Sequence, residues 1–156
     1  MRVSQRGFVL IATCIALTIL LALAGFAIDI GRMYVIKSEL QAYADAAALS
    51  AALELNDSGP GLAQAQAAAK SLTTGPHAMR WDMGTQPITN ITASFSADEK
   101  GWQEHPKQAG DLRFVRVVAS EPAPVIFMRI FQPLASINVT AASEATKAGA
   151  TARLIQ

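Results

Sequence analysis

Cysteine, histidine and clustered positive charge are all scarce in this sequence, and each scarcity removes a class of function. Cys14 is the one cysteine, so no disulfide can close within the chain and any folded domain rests on packing. It falls inside an apolar run, where a free cysteine behaves as a small hydrophobe; acylation or a cross-link to a neighbouring chain is the functional alternative. The net charge is +1 and the lysines and arginines beyond the first six residues are scattered, so the basic footprint of a nucleic-acid binder is missing. His77 and His105 are the two histidines, each in a separate loop beside Pro or Ala, without the ligand spacing a zinc site needs. There is no Gly-x-Ser-x-Gly elbow, no phosphate-binding glycine loop and no cysteine beside a histidine. Asp98, Glu99 and Glu104 are interleaved with Lys100 and Lys107, the pattern of a solvated loop. No catalytic, cofactor-binding or metal-binding residue is expected, and no cofactor.

Proline is also absent, from Phe8 through Leu55, and this absence permits one long helix. The run from Phe8 to Ile28 is 21 residues without a charge. A spanning helix needs about 20 such residues, because each rises about 1.5 Å through a hydrocarbon core roughly 30 Å thick. Residues 1–7 form a basic leader carrying Arg2 and Arg6 and no acid, which by the positive-inside rule keeps the N-terminus in the cytoplasm and sends residues 29–156 across the membrane. The competing reading is a signal peptide cut after Ala24, at Ala22-Leu23-Ala24. Cleavage there would leave Phe26, Ala27, Ile28 and Ile30 as an apolar stub, so the intact anchor accounts for more residues.

Beyond the span, Met33, Leu40, Ala44, Ala47, Ala51 and Leu55 recur at helical intervals, with Arg32, Glu39 and Glu54 off that stripe. The helix therefore continues as an amphipathic extension over 29–55 and stops at Asn56-Asp57-Ser58-Gly59-Pro60-Gly61, a cluster of breakers. Alanine on the stripe allows close packing, either on the chain's own sheet or on other subunits. Gly31, Leu40, Ala44, Ala47, Ala51 and Leu55 are the candidate helix-packing interface. Asp29 either pairs with a cation on a neighbour or marks the end of the span, where a charge costs little. A second helix is expected over 62–72, and strands over 88–96, 112–119 and 137–145. Residues 125–131 read as a short helical turn, 98–110 as a loop, and 147–156 as a loosely ordered tail. Trp81 and Trp102 are either contact residues or core. The fold class is α+β: a long N-terminal helix on a small antiparallel sheet of about three strands, with one extracytoplasmic domain over 56–146.

Arg6-Gly7 before the span, Ala27-Ile28-Asp29-Ile30-Gly31-Arg32 at its exit and Leu40-Gln41-Ala42-Tyr43-Ala44-Asp45-Ala46-Ala47-Ala48-Leu49-Ser50-Ala51-Ala52 together resemble TadG-like (TadE/TadG-type) Flp pilus-assembly proteins. Val117-Val118-Ala119, 125–131 and 139–145 resemble the later part of such proteins more weakly. The resemblance implies a bacterial inner-membrane protein of the tight-adherence secretion system, with other pilus or pilin-like subunits as partners in a homo- or hetero-oligomer. It implies a short form, without a von Willebrand-type domain or an Asp-x-Ser-x-Ser metal motif. Gly7-Phe8 resembles a prepilin peptidase site. Pilins cut there carry a glutamate five residues into the mature chain, where this chain has Ala12, so that docking device is missing. Asn90-Ile91-Thr92 and Asn138-Val139-Thr140 match a glycosylation pattern but lie in expected strands of a bacterial protein.

The expected function is a single-span, pilin-like component of Flp pilus assembly acting by subunit packing. The alternatives are a filament subunit polymerising through its 8–55 helix, and an exported enzyme or sensor domain.

Overall fold

Nothing between Gln5 and Glu54 interrupts helical hydrogen bonding, and these residues form a single helix, α1. The computed structural model describes residues 5–130, 135–148 and 151–155. At 50 residues, α1 is about 75 Å long. It changes surroundings along its length. From Gly7 to Leu21 every side chain is exposed, whereas Ile36, Leu40, Tyr43, Ala44, Ala47, Ala48, Ala51 and Leu55 are buried in the domain.

The breaker cluster turns the chain back into α2, Gly59–Ser71. Ser58 is extended and its Oγ accepts from the Gly61 N–H at 3.1 Å, an N-cap with Pro60 following Gly59 in the first turn. Gly61 fits this corner closely: a Cβ there would lie 1.9 Å from Asn56 Oδ1, so the Asn56 side chain would have to move aside. Ala65 and Ala69 of α2 join the buried alanines of α1 in one core, and the Tyr43 hydroxyl donates to the Ala69 carbonyl at 2.7 Å.

A two-stranded hairpin follows, β1 (Arg80–Trp81) and β2 (Gln86–Pro87), not anticipated from the sequence because each strand has only two residues. Its tip is unusual: Asp82, Met83 and Gly84 all have positive φ, at 57°, 57° and 77°. Trp81 is core, and its indole N–H donates to the Pro87 carbonyl.

The main sheet consists of β3 (Ile91–Ser96), β4 (Phe114–Pro124) and β5 (Ser136–Ala148), antiparallel in that order, with β6 (Thr151–Ile155) added beyond β5. Where a loosely ordered tail is expected, β5 continues to Ala148 and the chain pairs back as β6. β4 alternates strictly: Val115, Val117, Ala119, Glu121 and Ala123 are buried, and the residues between them are not. It runs through Pro122 and Pro124, past the end expected at Ala119. The register explains how. β3 pairs only as far as Ala119, so the last five residues of β4 have a strand partner on one side alone, the setting that tolerates proline. Glu121, buried beyond the end of that pairing, accepts from the Thr89 and Asn90 N–H groups that lead into β3. The short turn expected over 125–131 appears as a single 3-10 turn, Met128–Ile130.

α1 packs on β4 and β5 and also covers an edge. β6 pairs with β5 only from Glu144 onward. Along the rest of β5, Lys37 donates to the Thr140 carbonyl, and Gln41 to that of Ala142 at 3.1 Å, so helix side chains occupy acceptors that another strand would otherwise seek.

Candidate functional site

The first element of the site is the exposed part of α1. Gly7 and Phe8, the candidate processing pair, lie in its opening turns with Phe8 exposed. Val9, Leu10, Ile11, Ile15, Leu17, Ile19, Leu20, Leu21 and Leu23 are exposed behind them, an apolar surface that the described residues leave uncovered. Cys14 is exposed on the same stretch as a free thiol.

The second element is a clasp where that surface ends. Asp29, expected as a boundary charge, is only 2% exposed. Its carboxylate accepts three backbone N–H groups, from Ile126 at 3.1 Å, Phe127 at 2.8 Å and Met128 at 2.7 Å. It thus caps the 3-10 turn from the side of the long helix. Burial alone raises a carboxyl pKa, but here the N–H dipoles of Met128, Ile126 and Phe127, with the nearby charge of Arg32, outweigh it and hold Asp29 below its ordinary value. One turn earlier, buried Gly25 receives Phe127, and a Cβ at Gly25 would sit 2.6 Å from the ring. One turn later, Arg32 makes a two-pronged contact with Asp82 at 2.9 and 2.6 Å and reaches the Pro124 carbonyl at 3.3 Å. Glu39 accepts the Met83 N–H at 3.2 Å. The helix therefore holds two loops, 124–128 and 82–83, through consecutive turns of one face.

The predicted packing stripe divides. Leu40, Ala44, Ala47, Ala51 and Leu55 are all buried inside the chain's own domain, among α2 and the sheet, and Gly31 lies outside it on the exposed surface. The face of α1 left open above the apolar stretch carries Gly31, Tyr34, Val35, Ser38, Ala42 and Leu53. Large apolar side chains stand out on it, with Tyr34 74% and Leu53 72% exposed.

Little here suggests chemistry. His77 and His105 are exposed and far apart in the chain, and among the described residues no group of three or more His, Cys, Asp or Glu is placed to hold a metal ion. The Asp98 carboxylate is used locally, accepting the Lys100 and Gly101 N–H groups at 3.1 and 3.2 Å, contacts that lower its pKa. Trp102 is half-buried under the Arg116 guanidinium, 4.1 Å from the ring centroid, and Arg116 also pairs with Glu144 across the strands.

The clasp leaves no direct trace in the sequence, because its acceptor and donors are 97 to 99 residues apart and the donors are backbone groups. The signal available was coarse: one acid directly after an uncharged span, and one apolar segment between prolines late in the chain.

Comparison with protein families finds that residues 7–54 match a family described as Flp pilus-assembly TadE/G-like. Neither the curated proteins nor the solved structures compared with the chain give a match. The matched segment coincides with α1, and it supports involvement in Flp pilus assembly and interaction with other pilus components.

Proposed function

We propose, from the premise that this is a TadE/TadG-like chain over residues 7–54, that the protein is a membrane-anchored, pilin-like component of Flp pilus assembly that works by packing against other subunits. The observation that carries this reading is the two-part environment of α1. Its first part is long enough, and apolar enough, to cross a bilayer and is covered by none of the described residues; its second part is the spine of a folded domain. One helix thus joins a lipid-compatible rod to a rigid head without a linker. The basic leader favours a cytoplasmic N-terminus, with the head on the other side of the inner membrane.

Packing is the mechanism the surface favours. The open face of α1 presents Tyr34, Val35 and Leu53 among small residues, which suits a second helix lying alongside. The buried alanines are committed to the core, so partner contacts fall to this face and to the apolar stretch. The same continuity supports a second reading, a polymerising subunit with α1 in a filament core, in which neighbouring helices take over the cover that lipid gives.

The deciding experiment is the mass and N-terminal sequence of the protein recovered separately from membranes and from sheared surface filaments. A chain beginning at Met1 and confined to membranes is the expected result for an anchored assembly component. A chain beginning at Phe8 and found in filaments establishes the polymerising subunit, and one beginning at Gly25 removes the anchor and overturns both.

A further inference from the structure

The loop held by Asp29 has an apolar surface that the other described residues of the domain leave exposed. Ile126 is 54%, Phe127 36% and Ile130 76% exposed, within a run of six residues whose one charged member is Arg129. Exposed side chains of this size in adjacent positions mark a contact surface. Where the loop sits indicates the contact. Phe127 lies against Gly25 and its backbone is pinned by Asp29, so the loop stands beside the last turn of the 8–28 apolar stretch, where Phe26 and Ile28 are also exposed.

The backbone of the loop is equally informative. A segment that enters lipid must have its N–H groups satisfied within the protein, because the acyl region offers no water to bond them. Five of the six N–H groups of the loop are bonded: those of Ile126, Phe127 and Met128 go to Asp29, that of Ile130 to the Phe127 carbonyl, and that of Val125 to the Ala135 carbonyl, while that of Arg129, the charged residue, has no bond among the described residues. The carboxylate is itself screened from solvent by the loop, so a charge next to the hydrocarbon boundary is neutralised by directed donors.

We propose that the Val125–Ile130 loop is seated in the headgroup and upper acyl region of the bilayer that α1 enters, on the side of the sheet domain. Ile126, Phe127 and Ile130 enter at the roughly 5–10 Å depth typical of interfacial segments. Arg129 meets the phosphates, its apolar stem in the interface and its guanidinium at the headgroups. The domain then rests on the membrane at two points, α1 and the loop, with a defined tilt. This rests on the reading of residues 8–28 as a membrane span.

The test uses the full chain carrying Cys14→Ser, with one cysteine introduced at a time as I126C, I130C, L17C or T92C. Each variant is labelled with an environment-sensitive fluorophore and reconstituted into phosphatidylethanolamine–phosphatidylglycerol vesicles. Leu17 reports the span and Thr92, exposed on β3, reports the solvated domain. The expected result is quenching of the 126 and 130 labels by lipids spin-labelled near the headgroup, with iodide quenching several-fold weaker than at position 92. If the 126 and 130 labels are as open to iodide as position 92 while the Leu17 label is quenched by lipid, the span stands and the seated loop is wrong. Protection of 126 and 130 from both quenchers means that protein covers the loop, a second copy in this preparation, and also overturns the proposal. Loss of lipid quenching at position 17 removes the span and the proposal with it.

Discussion

Arg32 and Asp82, 50 residues apart in sequence, meet in parallel: Nε to Oδ1 at 2.9 Å and Nη2 to Oδ2 at 2.6 Å. The fork matters because Asp82 belongs to a hairpin tip of three consecutive positive-φ residues, a backbone state that costs free energy at Asp82 and Met83. The helix holds that tip in place through Arg32 and, by way of Glu39, through the Met83 N–H.

Arg32→Lys keeps the charge and loses the planar fork. For a half-buried, bidentate pair the expected loss is about 1 kcal/mol, with Arg32→Ala somewhat worse. Denaturant unfolding in detergent micelles measures this. Amide exchange should rise at Asp82 and Met83 in both variants, and leave the α2 amides unchanged.

Asp29→Ala strands three N–H donors, and a lost charge-assisted bond is worth roughly 2 kcal/mol, so the Ile126–Met128 amides should exchange far faster and the protein should melt earlier. Asp29→Asn keeps one acceptor oxygen and should fall between. Acid distinguishes charge from shape. Because the folded-state pKa of Asp29 is depressed, its contribution is present above the ordinary carboxylate value near 3.8 and fades as pH falls through the lower folded value. The melting difference between the native chain and Asp29→Asn should therefore be full at neutral pH and shrink in strong acid.

Tyr43 works the other end of the pH scale. Burial pushes its hydroxyl up from 10.0 to about 12, so the neutral form that donates to Ala69 is favoured in the fold. Its contribution is present below pH 10 and is lost as pH rises through about 12. Tyr43→Phe should cost about 1 kcal/mol at neutral pH, and alkaline melts should show the gap to the native chain closing across that window.

Gly25→Leu places a side chain where Phe127 lies. The apolar character of residues 8–28 survives this change, so on the proposed anchored reading membrane recovery should be unaffected. The loop, however, must move away from α1. Proteolysis between Val125 and Ile130 should accelerate; equal resistance in both proteins would show that Phe127 has another seat.

Much of this architecture could be read from residues alone where the controlling physics is local. Absence of proline and an unbroken apolar run are enough for α1; the breakers at 56–61 are enough for its end; β-branched runs locate β3, β4 and β5 to within a few residues. What escaped reading depends on partners distant in sequence. Pro122 and Pro124 look like a strand end until it is known that β3 stops at Ala119. The alanine stripe has the same spacing whether its cover is a sheet or another subunit, and only the fold puts Ala44, Ala47 and Ala51 inside. Asp29 gives no hint of its donors, since a backbone N–H has no sequence signature.

The absence of any break in α1 has a mechanical corollary. A head joined to its anchor by a loop can lag, swivel or be stretched away from it; this one moves with its rod. The Asp29 clasp, the Arg32 fork and the Lys37 cover all tie the head to the same helix, so the head follows the rod through several contacts at once. Lifting the rod by one helical turn raises the whole head by about 5.4 Å. With residues 8–28 seated in a bilayer, as proposed, the resistance would come from hydrocarbon leaving lipid, and a machine that extracts or seats the protein would push against solvation free energy while the fold travels intact.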